Sequence, residues 1–283
     1  MIKPLLKDDA LAADIAAAEP GDGFALWWLG QSGFLIKHAG RFLLLDPYLS
    51  DSLTRKYADT DKPHVRMTER PIAPARLDFV DVVTSSHNHT DHLDAETLRP
   101  ILAAGADTAL VIPEANRDVV AERLGVDRDA PLGLDAGGQV TVGPFTLHAV
   151  PAAHEELARD EQGRHHYLGY VATFGRWCVY HSGDTLWYDA LVDWLAPFAI
   201  DLALLPINGR RPERRVAGNL DGEQAARLAH ALGAGCVVPC HYEMFSFNTA
   251  SPDAFVAACR SLGQPCRVLR CGERLESSQG RGG

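Results

Sequence analysis

The segment Ser85-Ser86-His87-Asn88-His89-Thr90-Asp91-His92-Leu93-Asp94 packs three imidazoles and a carboxylate into six consecutive residues, His87 to His92. In an extended stretch, His87 and His89 project to the same side. Asp91 and His92 then fall at the turn into a helix expected from about Asp94. Such a segment can feed two adjacent metal ions, with His87 and His89 turned to one and Asp91 and His92 to the other. Imidazole with carboxylate suits zinc, iron or manganese rather than calcium. The plain alternative is a polar loop that happens to be rich in histidine, but this stretch directly follows an apolar run.

Four side chains do not complete the coordination of two such ions. Three later candidates each follow an apolar, strand-like run: His154 after 147–151, Asp184 after 177–180, and His241 after 237–239. Ligands at successive strand ends converge on one edge of a layered sheet, where α/β folds place their sites. Asp46 closes the run 42–45 and is a candidate to brace a ligand imidazole, or to make an Asx turn into Pro47.

The elements that must position these residues are legible as alternating patterns. A short helix is expected over 8–18, and buried strands over 24–29, 34–37 and 42–45, with the turn Gly30-Gln31-Ser32-Gly33 between the first two. The stretch 47–77 is polar, proline-interrupted and long, which reads as a rim or lid. Further strands are expected over 79–83, 109–112, 140–150, 167–174, 177–180, 202–207, 236–239 and 266–269. Helices are expected over 94–103, 114–124, 190–195, 221–232 and 252–262. Helices scattered between strands give an α/β (α+β layered) chain, expected to be one domain over 1–283 with a fraying tail at 277–283.

Composition bounds the rest. Apolar residues at 46% and charged residues at 23% of 283 fit a globular chain with a sizeable core. A net charge of −10 disfavours a nucleic-acid partner while leaving room for a small anionic substrate. The N-terminal residues carry no secretory pattern and no run spans a membrane. The six cysteines form no C-x-x-C pair, so reduced thiols and a cytoplasmic location are expected.

The order Asp46, His87-x-His89-x-Asp91-His92, His154, Asp184, His241 resembles the five-motif signature of the metallo-β-lactamase fold. The flanks Phe24-Ala25-Leu26-Trp27-Trp28-Leu29-Gly30, His181-Ser182-Gly183-Asp184 and Pro239-Cys240-His241-Tyr242 resemble the branch of L-ascorbate-6-phosphate lactonase-like hydrolases. The resemblance runs from about residue 24 to residue 271. It implies a four-layer αββα sandwich with the metal site at one edge of the two sheets. It also implies one metal on His87, His89 and His154, a second on Asp91, His92 and His241, and Asp184 bridging them. Zinc or manganese is expected, with iron as an option. A metal-bridging hydroxide would then attack a carbonyl or phosphoryl centre, with Asp91 orienting it and shuttling its proton.

Other residues are weighed beside this set. His181 and Tyr242 are candidate catalytic groups, the first near Asp184 and the second donating a hydrogen bond to substrate; either can equally be a buried structural side chain. Asn208, Arg210 and Arg211 open an arginine-rich loop suited to phosphate or carboxylate, or to a solvated surface or a neighbouring subunit. His165 and His166 lie in a polar loop that reads as a second lid. Cys240 is a soft ligand in principle and a buried thiol by composition. The expected reaction is hydrolysis of a small polar lactone, ester or phosphoester by a protein able to self-associate. The alternatives are an iron-dependent redox protein on the same fold, a phosphodiesterase or nuclease, and a non-catalytic binding protein.

Overall fold

The computed structural model describes residues 1–105 and 107–277. Sheet one is built from β1 (Ala25–Gly30), β2 (Gly33–His38), β3 (Arg41–Leu45), β4 (Val82–Thr84), β5 (Ala109–Pro113) and β6 (Leu132–Leu134). Sheet two is built from β7 (Gln139–Val142), β8 (Phe145–Pro151), β9 (Leu168–Phe174), β10 (Trp177–His181), β11 (Leu202–Pro206) and β12 (Cys236–Cys240). The last strand, β13 (Arg274–Glu276), returns to pair antiparallel with β1. The sheet orders are β13-β1-β2-β3-β4-β5-β6 and β12-β11-β10-β9-β8-β7. Each sheet is antiparallel at its hairpins and parallel where a helix crosses over, as between β3 and β4 or β11 and β12.

Side-chain alternation explains the layers. Along β1, Leu26 and Trp28 point between the sheets and pack with Phe34, Leu147, Tyr170 and Leu204. Ala25, Trp27 and Leu29 point the other way and pack on Leu11 and Ile15 of α1 (Asp9–Ala17), and on Leu98 and Ile101 of α3 (Ala95–Ala104), with the short α2 (Ser52–Lys56) lying between in sequence. On the far side of sheet two lie α5 (Leu191–Leu195), α6 (Gly222–Ala231) and α7 (Asp253–Leu262), while α4 (Arg117–Leu124) joins the first helical layer. Strands buried on both faces read as continuous apolar runs, which is why 24–29 showed no alternation. The result is the expected αββα sandwich.

Several expected boundaries shift for identifiable reasons. The run 140–150 is a hairpin, not one strand, because Gly143 takes a left-handed φ of 56° between β7 and β8. The segment 266–269 contributes only an isolated bridge, Val237 to Cys266; the edge strand is β13 instead. The rim segment 47–77 contains α2 and a single 3₁₀ turn, Pro74–Arg76. Ser277 does not fray: it is buried, its hydroxyl accepts from the Phe24 amide at 2.9 Å, and its own amide donates to the Phe24 carbonyl. Residues 278–283 of the expected tail lie outside the described residues. All six cysteines are free. Among the described residues no helix is long and apolar enough to cross a membrane.

Candidate metal centre

Loops at one edge of the two sheets bring the predicted ligands together. After β4 the chain leaves the sheet and turns tightly, with the His92 and Leu93 amides both donating to the His89 carbonyl. This turn sets the His87 and His89 rings 4.7 Å apart and the His87 and His92 rings 4.1 Å apart. His154 follows β8, and its Nδ1 sits 2.9 Å from the Gly218 carbonyl. Asp184 follows β10 through Gly183, whose left-handed φ of 59° and close approach leave no space for a Cβ: one would lie 2.8 Å from the Leu168 carbonyl and from Ser86. His241 follows β12 with φ 63°, held there by its amide donating to the Gln31 carbonyl at 3.0 Å.

Two groups able to hold a metal ion result. His87, His89 and His154 form one, and Asp91, His92, Asp184 and His241 the other, each with its donor atoms mutually within 4.8 Å. Asp184 faces both. Its Oδ1 lies 3.3 Å from His92 Nε2, while its Oδ2 lies 3.3 Å from His241 Nε2 and 3.6 Å from His154 Nε2.

The donor set fits bound metal on an observation independent of family. His87 Nε2, His92 Nε2 and Asp184 Oδ1 are buried polar atoms with no hydrogen-bond partner. Orphans of this kind are costly and rare unless something else satisfies them. Of the eight such atoms among the described residues, these three belong to the converging set, and Gln31, which bonds Asp91, contributes a fourth beside it.

Electrostatics divides the imidazoles the same way. Burial pushes His87 and His154 below the usual imidazole range and brings His89 down to about 4, so these three present neutral nitrogen lone pairs. Burial also works to lower His92 and His241, but the carboxylates of Asp184 and Asp91 outweigh it. His92 is raised well above its ordinary value and His241 to about 9. Asp91 and Asp184 are correspondingly held low by His92 and His241 against their own burial. The two carboxylates thus demand positive charge at this spot.

Asp46 is fully buried behind His92. Its Oδ2 meets His92 Nδ1 at 2.7 Å, and its Oδ1 accepts from the Thr84 hydroxyl at 2.8 Å and the Ser86 amide at 3.0 Å. The bond to Nδ1 leaves Nε2 pointing at Asp184. Asp46 therefore touches a ligand imidazole, and the Asx-turn alternative is unnecessary.

A family described as the beta-lactamase superfamily domain matches residues 41–242. The chain belongs to the beta-lactamase superfamily. It is 29% identical over 264 residues to a metal-dependent hydrolase of Rubrobacter xylanophilus, covering 90% of this chain and 97% of that protein. Over 237 residues it is 30% identical to a metal-dependent hydrolase of Hyperthermus butylicus, covering 80% of this chain and 86% of that protein. These relationships place it among the metal-dependent hydrolases of the superfamily. A metallo hydrolase of Ignicoccus hospitalis shares the fold, with a TM-score of 0.65 at 23% identity over 90% of this chain and 98% of that one.

Other expected residues lie away from the centre. Tyr242 is buried, stacked on Trp28 at 4.4 Å, and its hydroxyl donates to the Leu269 carbonyl. It does not line the cavity and cannot donate to substrate from there. His181 is equally buried, with Nε2 2.9 Å from the Ser32 carbonyl; it packs beneath the site and does not line the cavity. Arg210 and Arg211 point to solvent, Arg210 pairing with Glu155 at 2.7 Å. Asn208 is buried and bonds Asn248, so it reaches the cavity only through that neighbour. His165 bonds Asp135, and His166 bonds Asn116, structural contacts on the far side of their loop. Cys240 is a buried thiol.

Sequence reasoning missed Gln31. Its Nε2 lies 2.8 Å from Asp91 Oδ2 and 2.9 Å from His241 Nε2, and its carbonyl also accepts from the Trp28 indole. Its left-handed φ of 51° turns the side chain inward between β1 and β2. The available signal was a polar residue in a tight turn at the same sheet edge as the ligands.

Proposed function

We propose that this chain, as one catalytic unit over residues 1–283, is a two-metal hydrolase of small polar lactones, esters or phosphoesters. One observation carries the reading: seven ligand side chains from four separate strand ends converge, with three of their buried atoms lacking any other partner. Five of them, His89, Asp91, His154, Asp184 and His241, border an open cavity of about 450 Å³, a size suited to a small molecule rather than a polymer.

His87, His89 and His154 would hold one ion, Asp91, His92 and His241 the other, with Asp184 between them. Divalent zinc or manganese fits this mixed set best, and iron also suits it. When bound, such ions activate water near neutral pH and polarise the electrophilic oxygen. The protein's own contribution is positional. Asp46 fixes the tautomer and tilt of His92, and the Gly218 carbonyl does the same for His154. Gln31 steadies Asp91, which lines the cavity and is the carboxylate placed to orient the attacking water and carry its proton. The likeness to the lactonase-like branch puts cyclic and acyclic esters first among substrates.

The test is a turnover screen over lactones, phosphodiesters and acyl amides, before and after chelation. Turnover should vanish when the metal is stripped and return with manganese or zinc. An unchanged rate in stripped protein, on a substrate turned over by the loaded form, would overturn the reading.

A further inference from the structure

The chain carries a net charge of −10, yet its cavity has the opposite balance. Outside the ligand set, no carboxylate among the described residues lines it, while Lys56, Lys62, Arg123 and Arg215 do. Arg123 is committed to structure, because its guanidinium donates to the Asn88 and Leu93 carbonyls and so pins the ligand-bearing turn. The other three are placed differently. Among the described residues neither lysine has a carboxylate partner. Lys56 Nζ lies 3.4 Å from the Thr90 hydroxyl, one residue from Asp91, and 5.2 Å from the centre of the Tyr57 ring. Lys62 Nζ donates to the Arg215 carbonyl, which brings the rim segment and the arginine loop together over the opening. Arg215 pairs with Asp61, an exposed contact worth little to stability and readily exchanged.

Arg215 is balanced by Asp61, whose carboxylate also lies in the field of Lys62, whereas Lys56 has no carboxylate within ion-pair distance among the described residues; an anion entering the mouth would meet net positive charge. Beside them stands an apolar, ring-rich wall. The half-buried Tyr57 and His64 rings lie 4.4 Å apart at the cavity, and the buried Phe245 ring backs His64 at 5.2 Å.

We propose that the substrate bears an oxyanionic group, carboxylate or phosphate, joined to a planar apolar part, with Lys56, Lys62 and Arg215 receiving the anion and the Tyr57–His64 wall receiving the plane. The proposal rests on this cavity being the hydrolytic site. It identifies the non-reacting end of the substrate, which binds at the rim and leaves the scissile bond over the ligand cluster.

Calorimetric titration of the metal-loaded protein with phthalate, phthalamide and succinate tests it. Phthalate should bind about tenfold or more tighter than the uncharged phthalamide. It should also bind more tightly than succinate, which has both carboxylates and no ring. The double change Lys56→Glu with Lys62→Glu should remove that phthalate advantage, leaving phthalamide affinity and bound metal unchanged. Equal binding of phthalate and phthalamide, no phthalate binding at millimolar concentration, or full phthalate affinity in the double variant would each overturn the rim site. Equal binding of succinate and phthalate would overturn the aromatic half. Metal content measured on the same samples keeps the two readings apart: a wild-type protein that retains no metal contradicts the hydrolase reading, whatever phthalate does.

Discussion

Asp184→Asn is expected to bind at most one of the two metal ions tightly and to lose turnover on the order of 10³-fold. The change is nearly isosteric, so packing survives and the loss is electrostatic. Asp184 is the group whose two oxygens face different imidazoles, Oδ1 toward His92 and Oδ2 toward His241 and His154. An amide offers one neutral oxygen and one N–H pair. The N–H pair would point its protons at a nitrogen lone pair or a cation. Metal content by elemental analysis and kcat/KM on a confirmed substrate check the prediction, with a melting curve to show that the fold persists. A variant retaining both ions and full activity would show that Asp184 does not bridge.

Asp46 acts one step further back and should give a different pattern. It is fully buried and supports four contacts: His92, the Thr84 hydroxyl, the Ser86 amide, and its own amide on Thr84. Asp46→Asn should weaken metal affinity roughly 10- to 100-fold, the usual effect of removing a carboxylate behind a ligand imidazole, because an amide N–H would oppose the His92 Nδ1 proton. Asp46→Ala should also destabilise the fold by about 3–5 kcal/mol, since it strands a buried imidazole and a buried amide at once. Chelator competition reads the first effect and denaturant unfolding the second. Loss of stability with unchanged metal affinity would make Asp46 a purely structural residue.

The candidate centre was largely legible because its residues are close in sequence or stand just past strand ends. His87, His89, Asp91 and His92 occupy one turn, and His154, Asp184 and His241 each follow an apolar run that becomes a buried strand. The layered fold was legible for the same reason, since strands covered on both faces must be continuously apolar. What escaped was decided by long-range packing. Gln31 touches Asp91 across 60 positions of sequence and His241 across 210, and nothing local distinguishes it from an ordinary turn residue. His181 ends β10 and Tyr242 lies in the bend after β12, yet both are turned into the core, where the Ser32 carbonyl and Trp28 occupy them. In the arginine loop, composition drew attention to Arg210 and Arg211. The left-handed turn at Arg215, φ 52°, and its contact with Asp61 bring a different arginine to the cavity. The edge strand β13 has only three residues and little pattern of its own; it forms because β1 offers a free edge.

Two cations are expected to share Asp184. Crystals of the protein loaded with zinc or manganese, measured at the absorption edge of that metal, test it most directly. Two anomalous peaks are predicted, one among His87, His89 and His154 and one among Asp91, His92 and His241, with the Asp184 carboxylate contacting both. A single peak, or two peaks of which Asp184 touches only one, in protein of proven activity would contradict the account.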